Sequence, residues 1–228
     1  MAPEKQVFDP DGDLIFVLPS SVAATKTPSK PARKSSLKHK APPKDAHVHM
    51  QVSSKHMMLA SPVFKAMLTH SFKEGETLRA TGKVKIPLPD DDPVVFTIIL
   101  DIIHGRGRRV PRVVPLKLLA LLSNAVDKYR LLESVAIFSD VWINEALEEM
   151  TVEEPEELLL WLSISWVFRH AAKFMQVTEL LVRESQGGDP FVEFKSENLR
   201  QSLPIPQTMQ YNLAEFVPYD PSMRNWGR

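Results

Sequence analysis

Hydrophobic positions form short extended runs early in the chain and helical stripes after them. Asp13-Leu-Ile-Phe-Val-Leu18 is apolar, aromatic and β-branched, follows the turn signal Asp9-Pro-Asp-Gly12, and reads as a buried strand. His47-Val-His-Met-Gln-Val52 reads as a second. In Lys83-Val-Lys-Ile-Pro-Leu88, Val84, Ile86 and Leu88 alternate inward, and Pro87 points to an edge or a strand end. Between these strands, Ser53 or Ser54 caps one short helix and Ser61-Pro62 opens a second, with Met57, Ala60, Phe64, Met67 and Leu68 on one face. Asp92-Pro93 repeats the cap-then-proline signal for a helix carrying Phe96, Leu100 and Ile103 and stopping near Gly105. Leu118, Leu122, Ala125, Tyr129 and Leu132 stripe the next helix, and Val135, Phe138, Trp142 and Ala146 another. Pro155 opens a helix through Arg169, and a further one covers His170 to Glu184. Strands first and a pile of helices afterwards predict an α+β architecture.

Charge is segregated along the chain. Lysines and arginines number 28 and acidic residues 28, so the balance argues against wholesale nucleic-acid binding. Yet residues 26–44 carry seven basic side chains, Lys34 and Lys38 among them, and no acidic one, which predicts a disordered loop with little to bury. A second basic patch holds Arg106, Arg108, Arg109 and Arg112; seven glutamates and no base lie between Glu145 and Glu157. The first residues have no apolar signal-peptide core, and the most apolar stretch, 158–168, falls well short of the roughly 20 residues that span a bilayer. The expectation is an intracellular protein of cytoplasm or nucleus with no membrane association.

Candidate chemistry is sparse. The absence of cysteine removes disulfides, zinc fingers and a thiol nucleophile together. His47 and His49 sit two apart on a strand, as paired metal ligands can, but no third ligand is signalled. There is no Gly-x-Ser-x-Gly elbow, phosphate-cradling loop or His-Glu-x-x-His pair. Asp90-Asp-Asp92 reads as a charged turn and helix cap. No catalytic residue, metal or cofactor is assigned. For the basic segment, a solvated loop ranks first, an acidic protein surface or nuclear-import receptor second, and nucleic acid third, because no aromatic residue is present to stack on bases. Trp161 and Trp166 could form a partner-binding face, but a helix apolar nearly all round is better read as core.

The same pieces, in the same order, resemble the BTB/POZ fold in its divergent fungal versions. The resemblance rests on Asp13-Leu-Ile-Phe-Val-Leu18, Met50-Gln-Val-Ser-Ser-Lys-His-Met57, Leu59-Ala-Ser-Pro-Val-Phe-Lys-Ala-Met-Leu68, Val84-Lys-Ile-Pro-Leu88, the helix from Pro93 to Gly105, and Ala125-Val-Asp-Lys-Tyr129. It covers roughly residues 12 to 148. It implies a helical cluster flanked by a small sheet, followed by extra helices, with Asp13, Ser61, Phe64, Asp127 and Tyr129 as structural signature positions. It also implies a non-enzymatic role in association with other proteins, a second copy of the chain or a cullin-type ubiquitin ligase among them. Ser53 and Ser54 stand where many members have His and some have Arg, so the charged pocket beside Asp13 is not expected. Arginines at 106–112 occupy the loop where adaptors often contact cullin, which weakens that role. Lys34, Lys38, Arg106, Arg108, Arg109 and Arg112 form the candidate charged contact surface. The domain reading is residues 1–11 as an N-terminal tail, 12–148 as the BTB/POZ-like domain with a basic insertion at about 19–46, 149–188 as a helical extension, and 189–228 as an irregular tail. The alternative function is a basic-loop nucleic-acid or chromatin-associated factor.

Overall fold

A computed structural model describes residues 4–20, 47–69, 71–148 and 155–184. The fold is α+β, with four strands and eight α-helices among the described residues. The strands are β1 (Glu4–Val7), β2 (Leu14–Pro19), β3 (His47–Val52) and β4 (Val84–Pro87), and they form one mixed sheet in the order β1-β3-β2-β4. β2 and β3 pair antiparallel, while β1 runs parallel to β3 and β4 parallel to β2. Leu14, Phe16, Leu18, Val48, Met50 and Val52 alternate onto the buried face, as a two-residue period demands. Val84, Ile86 and Leu88 join them from β4, and Pro87 sits on the edge strand, where a missing N–H disturbs least.

Two elements depart from the sequence reading. Residues 1–11 are not all tail, because Glu4–Val7 is β1. Its sequence, Glu-Lys-Gln-Val, has no apolar alternation, and it is held by its neighbours. Phe8 N–H donates to the Gln51 carbonyl at 2.9 Å, Thr97 Oγ1 to Gln6 Oε1 at 3.1 Å, and Arg106 Nη1 to the Val7 carbonyl at 3.0 Å. The second is a helix, α3 (Lys73–Thr81), where no element was expected. It buries little, and Gly82 in the left-handed region (φ 72°) turns it directly into β4.

The expected helices are present as α1 (Ser54–Ala60), α2 (Pro62–Thr69), α4 (Pro93–Ile103), α5 (Leu116–Tyr129), α6 (Leu132–Glu148), α7 (Pro155–Val167) and α8 (Ala171–Glu184). Asp92 caps α4, accepting from the N–H groups of Val94 and Val95 at 2.7 and 3.2 Å. The basic insertion and the C-terminal tail, Lys34 and Lys38 included, lie outside the described residues. Among the described residues no helix is long and apolar enough to cross a membrane.

The chain divides into two compact units. One comprises the described residues up to Pro111 together with Tyr129–Val135, and the other Arg112–Lys128 together with those from Ala136 onward. The first holds the sheet and α1–α4. In the second, α7 packs on α8 and is buried nearly all round through Leu158, Leu159, Trp161, Leu162 and Ile164, with Trp166 left 44% exposed. On α8, Val177 and Leu181 face inward beside Lys173, whose ammonium lies 5.1 Å from the Trp161 ring centroid and 3.2 Å from Gln176 Oε1. Burial lowers the Lys173 pKa.

Gly12 is fixed by a close approach. A Cβ there would stand 2.5 Å from the Val52 carbonyl oxygen and 2.9 Å from that of Asp9, both backbone atoms that cannot swing away. Gly12→Ala should therefore lower stability by roughly 1–3 kcal/mol, the usual range for overpacking. Urea unfolding checks this, with the loss appearing as a lower midpoint at unchanged slope.

Candidate functional site

The signature positions are brought together by local helix chemistry. α1 ends and α2 begins at Ser61, which is fully buried. Its hydroxyl accepts from the Phe64 N–H at 3.1 Å, capping α2 above Pro62, and donates to the Tyr129 carbonyl at 2.6 Å. One hydroxyl thus satisfies a helix start and the last carbonyl of α5, 68 residues away along the chain. The Phe64 and Tyr129 rings stack with centroids 4.8 Å apart and planes 9° apart. Phe16 lies 5.1 Å from Phe64, and Phe96 meets Phe16 and Tyr129 edge-on at 5.7 and 5.5 Å. Such pairs each contribute about 0.5–1.5 kcal/mol beyond area burial.

Tyr129 also anchors the acidic turn before α4. Its hydroxyl donates to Asp91 Oδ2 at 2.7 Å. Burial, and then this hydrogen bond, raise the Tyr129 pKa well above the ordinary phenol range. Of the three aspartates read as a charged turn, Asp92 is the cap and Asp91 is the buried acceptor. Spacing along the chain carries no signal for that second role.

Asp13 acts at the start of α1. Its Oδ1 accepts from the Ser54 N–H and its Oδ2 from the Ser54 hydroxyl, both at 2.7 Å. Ser53 is the N-cap, accepting from the His56 N–H at 3.4 Å. The Ser53 N–H in turn donates to His104 Nε2 at 3.2 Å, and His104 Nδ1 donates to the Leu100 carbonyl at 2.9 Å. Both ring nitrogens are thereby committed in the neutral imidazole, and Phe8 and His56 flank it. Sequence does not single out His104, since its Ser53 partner comes from an element far away in the chain.

The remaining signature residue, Asp127, is exposed and takes no part in the buried cluster. Among the candidate contact arginines, Arg106 differs most from expectation. It turns inward, pairs with Asp101 at 2.8 Å, donates to the Val7 carbonyl, and places its guanidinium 4.6 Å from the Phe8 ring centroid. Burial raises the Asp101 pKa while Arg106 opposes it. Arg108 and Arg109 are exposed on the 3-10 turn Gly107–Arg109, and Arg112 is exposed in the other unit. His47 and His49 lie on the open face of the sheet, and among the described residues no group of three His, Asp or Glu is arranged to hold a metal ion.

This arrangement ties the sheet, α1, α2, α4 and the end of α5 to one another. The polar atoms within it are spent on caps and carbonyls, and the rings on one another. No family model matches the chain, and no curated protein matches it.

Two outcomes are expected. Ser61→Ala removes a cap and leaves the buried Tyr129 carbonyl without its donor, so it should cost about 1–3 kcal/mol in chemical denaturation. For His104, burial lowers the folded-state pKa below 6.5. Above 6.5 both folded and unfolded states are neutral; below it the unfolded chain takes up the proton first, so stability falls with falling pH. Unfolding curves at stepped pH should show this acid-side loss in the wild type and a smaller one in His104→Gln.

Proposed function

We propose that the chain is a non-enzymatic protein–protein interaction module of BTB/POZ type. The observation that carries the reading is the stacked Phe64–Tyr129 pair, locked by the Ser61 hydroxyl. The two separated signatures on which the resemblance rests thus share one buried body, flanked by the small sheet that the resemblance implies. Asp13 at the start of α1 supports the reading further. The mechanism is presentation of preformed surface to another protein, a second copy of the chain included. Leu59, 88% exposed on α1, is the clearest apolar contact on this unit, with Phe72 and Val94 also exposed. A cullin-type adaptor role is the narrower reading; Arg108 and Arg109 hold the loop where it would be expected to dock. An intracellular location, in cytoplasm or nucleus, belongs to the same proposal. The nucleic-acid reading rests on the basic segment containing Lys34 and Lys38, outside the described residues, and no described feature favours it.

Light scattering of the full chain across a concentration series tests the proposal. Mass rising with concentration, and falling back in Leu59→Asp without loss of thermal stability, is the expected outcome. A strict monomer that also recovers no partner in affinity purification from its own cells would contradict it.

A further inference from the structure

The open face of the sheet has a charge pattern that the buried cluster does not explain. Register places Lys5, His49, Val17 and Pro87 in one row across the four strands, and Val7, Gln51, Ile15 and Lys85 in the next. Half-exposed Val17 and Ile15 lie in its middle beside His49 and Gln51, and each row has a lysine at one end. At the β4 edge, where α3 folds back through Gly82, the face deepens into a cavity of about 560 Å³. Ile15, Val84 and Pro87 supply apolar lining, and Lys73, Lys83 and Lys85 stand around it. The three lysines are exposed, and no ion pair among the described residues engages them. Glu74 is the one acidic side chain among the described residues lining it. Burial first, and then the proximity of Lys85 and His47, lower the His49 pKa.

Unpaired cations around an apolar floor set the chemistry of what fits. Three ammonium groups around one cavity outnumber its single carboxylate, Glu74, and an anionic partner offsets the excess positive charge. A bare phosphate chain would satisfy the lysines but leave the apolar lining uncovered, and among the described residues no aromatic side chain lines the cavity for a base to stack on. A peptide whose acidic residues flank an apolar one satisfies both. The edge position matters too, because an extended segment can lie along β4 with alternate side chains facing the cavity.

We propose that the cavity between α3 and β4 is a docking site for an acidic peptide segment, which seats an apolar side chain against Ile15 and Pro87 while its carboxylates pair with Lys73, Lys83 and Lys85. This surface is separate from the Phe64–Tyr129 cluster and does not depend on the BTB/POZ reading.

The test is fluorescence anisotropy with the full chain and a short fluorescein-labelled peptide of Asp and Glu around a central Leu-Phe pair. Two further probes are the same peptide with both apolar residues replaced by Ser, and single-stranded oligodeoxythymidine. Saturable binding of the first probe is expected, weakening as salt rises from about 0.05 to 0.3 M. It should weaken by about tenfold or more in the Lys83→Glu/Lys85→Glu double variant. That variant should keep the wild-type melting temperature, because both side chains are exposed. The Ser-substituted peptide should bind about fivefold or more weakly than the first. Absence of saturable binding, or unchanged affinity in a folded double variant, would overturn the proposal. So would equal or tighter binding of the Ser-substituted peptide or the oligonucleotide, which would make the surface a general polyanion site.

Discussion

The Ser61 hydroxyl and the Phe64–Tyr129 stack are the constraint on which the sheet-bearing unit depends. Ser61 must cap α2 and receive the end of α5 with one oxygen, which fixes the distance between two segments far apart in sequence. Phe64 then lies flat on Tyr129, and Phe16 from β2 and Phe96 from α4 close around them. Tyr129 reaches on to Asp91, so the turn that starts α4 is tied to the same point. Four rings and two hydrogen bonds therefore connect the sheet, α2, α4 and the end of α5. Because the polar atoms involved are paired with backbone or with each other, the cluster specifies one arrangement rather than many. After Tyr129 the chain must turn sharply, and Arg130 takes a positive φ of 51° to do so.

Much of this was legible where local chemistry decides structure. Ser61-Pro62 and Asp92-Pro93 announce helix starts because a short polar side chain and a pre-set φ are needed there whatever surrounds them. The alternation of Val84, Ile86 and Leu88 marks a strand for the same reason, and the helices from Leu116 onward follow their apolar stripes. What escaped was structure made by distant partners. β1 is polar and is held by hydrogen bonds from Phe8, Thr97 and Arg106, so its four residues carry no pattern of their own. α3 is equally polar, and its place is set by the Gly82 turn into β4. Arg106 looked like its neighbours in a basic loop, yet a buried Asp101 one helical turn earlier draws it inward while Arg108 and Arg109 stay out. Asp91 and His104 were silent because the groups they bind, a tyrosine hydroxyl and the N–H of Ser53, come from far along the chain.

The two faces of the sheet differ in burial. The buried face is apolar and joins the ring cluster through Phe16. The open face carries Val17 and Ile15 beside His49 and Gln51, with Lys85 at the β4 edge where the cavity beside α3 opens. In the α7–α8 pair, an all-round apolar helix packs on the amphipathic α8, whose buried Lys173 lies against the Trp161 ring.

The central claim is that Phe64 and Tyr129 act as one packed pair inside a single cooperative unit. A double-mutant cycle with Phe64→Leu and Tyr129→Leu, read by chemical denaturation, measures this directly. A coupling energy of about 0.5–1.5 kcal/mol is expected for stacked rings in contact. Single-variant losses that add to within about 0.3 kcal/mol would mean that the two signatures stand independently, and would contradict the claim.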